Sequence, residues 1–394
     1  MNDALLLTFN PGSSTIKFGL FRVADRTPIR IGSGSIDFHD VPLALNISNG
    51  GKAAHFALSA PLTDDLHGVI DQTLDCFKAH FSFDDFTLVG HRVVHGGDRF
   101  KGPVAIDDRT LAAIEELVPL APLHQPQSVR LIRAIRTLRP HLRQSASFDT
   151  AFHQTQADLV RRFAIPRRFF DAGIKRYGFH GLSYQFIASR LADRFPSLAK
   201  GKVVIAHLGS GASLCALDAG TSRDTSMGFS TLDGIPMATR CGALDAGVVL
   251  HLLARQGYSL PDVEALLYHE SGLLGVSGIS ADSRALLASA LPEAREALEL
   301  FAFRIAGEVA RLAASIGGLD ALVFTAGIGE HQPAIRSAVC KRLAWLGIQI
   351  DAQSNACHAC VISTASSRAA VLVIATDEEQ IIAQEAVSVL HGEP

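Results

Sequence analysis

Ten polar side chains fall where an apolar run stops or a glycine turn starts: Asn10, Arg92, His124, Asp149, His180, His207, Arg240, Asp282 with Arg284, and Glu378. Ligands of α/β sheets bind at the ends of parallel strands. Taken singly, each also has a plainer reading: Arg92 as a surface charge, His124 as a loop residue between prolines, Asp149 as a helix cap. Together they supply three arginines, three histidines and three carboxylates. That mix suits phosphoryl transfer, where charge spreads over equatorial oxygens and catalysis comes from positioning, cations and hydrogen-bond donors. A carboxylate can hold Mg2+ there, because Mg2+ keeps most of its waters and needs only one or two protein oxygens. No GxSxG elbow, no GxxxxGK[ST] loop and no HRD or DFG set is present, which disfavours the hydrolases and two common nucleotide folds.

The elements that must position these groups centre on Lys202 to Asp218, KVVIAHLGSGASLCALD, an apolar run, a turn of Gly209, Ser210, Gly211 and Ala212, and a second apolar run. Glycines between two β-prone runs let backbone N–H groups approach an anion, and Ser213 adds a hydroxyl. Leu5 to Phe21, LLLTFNPGSSTIKFGLF, echoes the pattern, and laying Gly12 on Gly211 also lays Ser14 on Ser213. The repeat suggests two similar domains closing on one ligand. Two ordinary hairpins would give the same local signal.

Ile29 to Ala60 reads as further strands and loops, Leu66 to His80 as a helix, and Leu88 to Gly97 as a strand running into paired glycines. Asp107 to Val118 and Gln127 to Leu138 read as helices separated by Pro119, Pro122 and Pro126. Ser147 to Thr155 is a strand end, and Tyr177 to Tyr184 reads as a loop. Helices follow at Val248 to Gln256 and Pro292 to Ile316, then a buried strand and Gly-rich turn at Ala321 to Glu330. Alternating strands and helices make the class α/β with mixed sheets. The expected domains are 1–150, and 151–380 for nucleotide, with a terminal helix over 381–394 returning to the first.

With 394 residues, 48% hydrophobic and 19% charged, the chain is globular and long enough for two cores. A net charge of −3 offers no handle for nucleic acid or an anionic membrane surface. The N-terminus has no basic region before its short apolar run, and no run approaches a membrane span. Six scattered cysteines fit a reducing cytoplasm. Cys357-His-Ala-Cys360 is compatible with half a zinc site or a redox motif; with no second CxxC, it reads as incidental thiols in a late β segment.

The ordered motifs NPGSSTIKF, HRVVHGG, LAPLHQP, FDTAFHQT, RYGFHGLSY, HLGSGASL, DTSMGF, TRCG, SGLLGVSG, FTAGIGE and TDEE resemble the acetate kinase family of short-chain carboxylate kinases, from residue 5 to about 385. The resemblance implies the duplicated two-domain fold of actin-like ATPases and sugar kinases (ASKHA), with the active site in the interdomain cleft. It implies reversible transfer from ATP to acetate, giving acetyl phosphate and ADP for acetyl-CoA biosynthesis, in a cytoplasmic homodimer built through the second domain. By the same resemblance Asn10 and Glu378 fix Mg2+, with Mn2+ able to substitute. Ser13 and His124 serve the phosphate, Arg92 and Arg240 flank the transferring group, His180 donates to it, and Asp149 positions metal water or carboxylate. Lys17, His207, Gly209, Ser210, Gly211, Asp282, Ser283, Arg284, Gly327, Ile328, Gly329 and His331 serve the nucleotide; Val94, Leu123 and Phe179 surround the acyl methyl.

Five residues depart from the family pattern. Gln125 stands where Asn usually follows the histidine, and Ser210 replaces an Asn in the phosphate turn. Thr231 replaces a proline of the acyl pocket, which leaves propionate and butyrate kinases as alternatives. Ser283 and His331 replace an aromatic or large apolar residue and an Asn beside the adenine, which leaves the purine preference open. The remote alternative is a nucleotide-binding relative that has lost transfer, against which stands the retained set Asn10, Arg92, Asp149, His180, Arg240 and Glu378.

Overall fold

The computed structural model describes residues 4–12, 15–38, 40–49, 52–60, 66–80 and 86–391; Ser13 lies outside them. One sheet contains β1 (Ala4–Pro11), β2 (Thr15–Ala24), β3 (Thr27–Asp37), β4 (Ala44–Asn49), β5 (Lys52–Ala57), β6 (Phe86–Val93), β7 (Val104–Ala105) and β8 (Arg143–Phe148), in the order β5-β4-β3-β2-β1-β6-β8-β7. The other contains β9 (Lys202–Leu208), β10 (Ala212–Asp218), β11 (Thr221–Thr225), β12 (Ala321–Thr325) and β13 (Ala370–Val373), in the order β11-β10-β9-β12-β13. The chain divides into two compact units, one of Met1–Phe152, Gly181–Phe186 and Asp377–Pro394, the other of His153–His180 and Ile187–Thr376.

Without β4, β5 and β7, the first sheet reads β3-β2-β1-β6-β8, the same order as the second. The pairing senses also match: two antiparallel pairs, then two parallel ones. The β1–β2 and β9–β10 turns, which carry Gly12 and Gly211, occupy the same place in each. The echo in the sequence is therefore a repeated architecture.

Alternation along β1 decides what each face meets. Leu7 and Phe9 pack on one side against Val69, Ile70, Leu74 and Phe77 of helix His67–His80 and Leu131, Ala134 and Ile135 of helix Gln125–Leu138. Leu6 packs on the other, with Phe21 and Leu88, against Ala383, Ala386 and Val387 of helix Glu378–His391. Burying each of these large side chains stabilises the unit by roughly 1.5–3 kcal/mol. Gly90 permits the close approach, since a Cβ there would lie 2.7 Å from Ile382 Cγ2. Asn10 has the parity of Leu6, and Arg92 that of Leu88, so both point to the side on which the terminal helix begins. In the second unit, helix Pro292–Ser315 buries Phe301, Ile305, Val309 and Leu312.

Five local expectations change. Helix Gln125–Leu138 starts at Gln125 and takes Pro126 into its first turn, where a missing N–H costs no hydrogen bond. A helix, Gly181–Arg194, occupies the end of the expected 177–184 loop. The Gly-rich turn after β12 is a short helix, Ala326–His331. The terminal helix opens at Glu378 and not at 381. Cys357 caps helix Ala352–Ala356, so the CxxC pair sits on a helix end and turn instead of a β segment.

Candidate active site

In the first unit five polar residues meet where β1, β6 and β8 end. Arg92 donates from Nε to Asp149 Oδ1 at 2.9 Å and from Nη2 to Oδ2 at 2.6 Å, a two-pronged grip in which Asp149 is fully buried. Its Nη1 donates to Asn10 Oδ1 at 3.0 Å. Asn10 Nδ2 in turn donates to Glu378 Oε2 at 2.9 Å and Glu379 Oε1 at 2.8 Å. Burial opposes the charge on Arg92, but Asp149, Glu378 and Glu379 outweigh it and hold the guanidinium above its ordinary pKa. Glu379 is absent from the sequence-based site; its signal was the acidic pair in TDEE, which becomes the first turn of the terminal helix. Two turns on, burial pushes the Glu385 carboxyl up, with Asp149 adding to the effect.

The second unit gathers a different set around Gly211. His180 sits at φ +57° as the N-cap of helix Gly181–Arg194. Its Nδ1 lies 2.8 Å from Ser213 Oγ, and its ring stacks on His207 with centroids 4.3 Å apart. Arg240 Nη1 donates to Thr231 O at 3.3 Å and reaches Met237 Sδ at 3.8 Å. A Cβ on Gly211 would stand 3.4 Å from His180 Nε2 and 3.7 Å from Arg240 Nη1. An imidazole and a guanidinium thus converge on backbone that carries no side chain. Arg240's own segment is gripped by the helix Gly272–Ser277, whose Leu273 and Leu274 N–H groups donate to Met237 O and Ala238 O.

The remaining nucleotide candidates fall on two helix starts. Asp282 caps Ser283–Ala288 and binds Arg284 through Nε and Nη2, contacts that hold its carboxyl below the usual range. Ser283 is buried and its Oγ accepts from Gln332 Nε2 at 2.6 Å, which ties this start to the helix Ala326–His331. Its hydroxyl is thus engaged inside the unit. Within Ala326–His331, Ile328 and Gly329 are buried, Gly327 borders open space and the His331 side chain is 73% exposed. Glu330 Oε1, also unforeseen, accepts from Ala326 N at 2.8 Å and Thr376 N at 3.1 Å.

The other candidates are dispersed. Lys17 is exposed on β2 opposite Asn10, Val94 is buried, and Leu123 lies 42% exposed in the turn before His124, the N-cap of Gln125–Leu138. Phe179, in the second unit, is buried and its carbonyl accepts from His153 Nε2 at 3.0 Å. Gln125 is fully buried; it accepts from His95 N and donates to His95 O, both at 3.0 Å, and so holds the strand exit beside Val94. Hard oxygen donors for a divalent cation are Asn10, Glu378 and Glu379. Among the described residues no three His, Cys, Asp or Glu are arranged to hold a metal alone.

The acetokinase family model matches residues 5–384. An acetate kinase of Rhodopseudomonas palustris (strain TIE-1) is 46% identical over 392 residues, and one of Methylocella silvestris 43% identical over 394, each match spanning 98% of both chains. The crystal structure of a propionate kinase from Francisella tularensis superposes with a TM-score of 0.89 at 35% identity, covering 97% of this chain and 98% of that one. Porphyromonas gingivalis acetate kinase gives 0.85 at 33% identity, covering 98% and 100%. The repeated strand order is accordingly the duplicated two-domain kinase fold, and the chain belongs to the acetokinase family.

Proposed function

We propose that the protein reversibly transfers the γ-phosphoryl group of ATP to acetate by direct in-line attack, giving acetyl phosphate and ADP. The observation that carries this reading is the convergence of His180 Nε2 and Arg240 Nη1 on Gly211. Donors placed in this way stabilise charge on equatorial phosphoryl oxygens as it develops. Ser213 fixes the imidazole so that Nε2 faces the reacting group. Acetate is already ionised at neutral pH, so no residue need remove a proton from it. Arg92, immobilised by Asp149, orients the carboxylate or acyl phosphate; Val94 and Leu123 in the first unit and Phe179 in the second are the residues assigned to the methyl group. Gly209 to Gly211, with His207, serve the phosphates; Asp282 to Arg284 and Gly327 to His331 serve the adenosine.

Asn10 and Glu378, joined by Glu379, fit Mg2+ because they offer only hard oxygens beside a surplus of carboxylate charge. When bound, Mg2+ would neutralise phosphate charge, and Mn2+ would replace it. A homodimer through the second unit fits helix Ala246–Arg255, AGVVLHLLAR, in which no residue is buried and Leu250 is 66% exposed. Six free cysteines agree with a reducing cytoplasm. Among the described residues no helix is long and apolar enough to cross a membrane.

Thr231 meets Arg240 through its backbone carbonyl, a contact that a proline could make equally well, so its replacement leaves the cation held. Measuring kcat/KM for acetate, propionate and butyrate with ATP and Mg2+ tests the substrate. Acetate is expected to lead; a preference for butyrate, or no turnover of acetate, overturns the reading.

A further inference from the structure

The Cys357–Cys360 pair is unused by this chemistry, yet it flanks a residue wired to the nucleotide segment. Helix Ala352–Ala356 ends in a left-handed turn: Ala359 N donates to Ser354 O at 2.9 Å and His358 N to Asn355 O at 3.2 Å. His358, not glycine, occupies the positive-φ position at +55°. Its Nδ1 lies 3.2 Å from Nη2 of Arg336, whose side chain is fully buried. Arg336 Nη1 donates to Gly329 O at 2.8 Å and Glu330 O at 2.9 Å, and its other nitrogens hold Asn355. One buried guanidinium therefore braces the Ala326–His331 helix against the turn that carries both thiols. Cys357 is exposed and Cys360 partly so.

We propose that Cys357 and Cys360 form a reversible thiol-modification site, closed to an intramolecular disulfide by exchange with a low-molecular-weight disulfide, and that closure loosens the Arg336 brace on the nucleotide segment. The exposed Cys357 thiolate attacks one sulfur of the reagent and expels the other as a thiolate. The Cys360 thiolate then attacks the Cys357 sulfur of the mixed disulfide and expels the second. The two protein thiols lose two protons and two electrons; the reagent's S–S bond is reduced to two thiols. In the reduced protein Cys357 Sγ lies 3.5 Å from Ser354 O, back along the helix. Pairing with Cys360 pulls it off that carbonyl and closes a small ring around His358, which disturbs the turn that presents Nδ1 to Arg336.

The coupling rests on the proposed nucleotide role of Gly327 to His331, and the experiment separates the two. The full-length protein is treated with oxidised glutathione, digested for mass spectrometry, and followed by amide exchange with and without ATP. A Cys357–Cys360 disulfide is expected, with exchange over 326–331 about tenfold faster without nucleotide, the size expected for one lost charged hydrogen bond. A several-fold rise in KM for ATP should accompany it, reversed by dithiothreitol and absent in C357S/C360S, which retains Cys76 and Cys241. Glutathione left on Cys357 alone, or a disulfide with unchanged exchange, overturns the proposal. Failure of ATP to protect 326–331 in the reduced protein counts instead against the nucleotide role.

Discussion

The two sheets repeat one strand order, but the contacts made by Arg92 in the first unit and by Arg240 in the second differ in kind. In the first unit Arg92 is locked in a bidentate pair with buried Asp149 and is ringed by Glu378 and Glu379. In the second, Arg240 is held through a carbonyl and a thioether, and His180 through a hydroxyl. A cation compensated by carboxylates keeps its geometry and contributes little field of its own. A guanidinium that donates to neutral acceptors, as Arg240 does, can turn its remaining donors to an incoming phosphate. Duplication supplied two equivalent frames, and the proposed roles make the first a mould and the second an electrostatic clamp.

The contrast breaks most sharply at Arg240. Arg240→Ala should lower kcat about 10³-fold with KM and thermal stability little changed, since it removes stabilisation made mainly in the transition state. A kcat near wild type would show the residue misassigned. Asp149→Asn should do the reverse in emphasis: it leaves Arg92 buried without its counter-charge and should cost about 3 kcal/mol in urea unfolding, alongside lost activity. If Asp149→Asn unfolds at the wild-type midpoint, the mould is not built on that pair.

Acid should weaken both units, and the first more. Burial pulls His91 and His95 in the first unit, and His153 in the second, down to about 4 from 6.5. Between those pH values the unfolded chain binds more protons, so stability falls as pH drops from 6.5 toward 4. Each histidine contributes up to about 1.4 kcal/mol per pH unit in that window. Urea midpoints at pH 7 and pH 5 measure this slope. His91→Gln should flatten it, and equal midpoints in the wild type at the two pH values would refute the buried neutral rings. The smallest expected effect is on the metal: Glu378→Ala should raise the Mg2+ concentration for half-activity about tenfold. An unchanged Mg2+ titration would remove Glu378 from that role.

Much of this was legible because apolar periodicity fixes which residues share a face. The parity of Leu6 with Asn10 and of Leu88 with Arg92 follows from the strand pattern, and the Gly12–Gly211 echo marks the repeat. Residues whose function is to hold other residues were harder to read. Gln125 looked like a mild departure at the site but is a buried clamp on His95. Ser283, read only as an adenine neighbour, also accepts from Gln332 inside the unit. Arg336 gave no pattern of its own, because its partners are hidden by an unexpected turn, and Glu379 showed only as half of the acidic pair in TDEE. Gly181 explains the missed helix at 181. A Cβ there would fall 2.0 Å from Asp149 O, so the glycine marks a backbone contact that periodicity does not register.

The central claim is that these residues move a phosphoryl group onto a carboxylate. Hydroxylamine traps the product directly: with ATP, Mg2+ and acetate the protein should generate acetyl hydroxamate at a rate that tracks enzyme concentration and falls about 10³-fold in Arg240→Ala. No hydroxamate from acetate, propionate or butyrate would contradict the account and leave a nucleotide-binding protein that has kept the fold without the transfer.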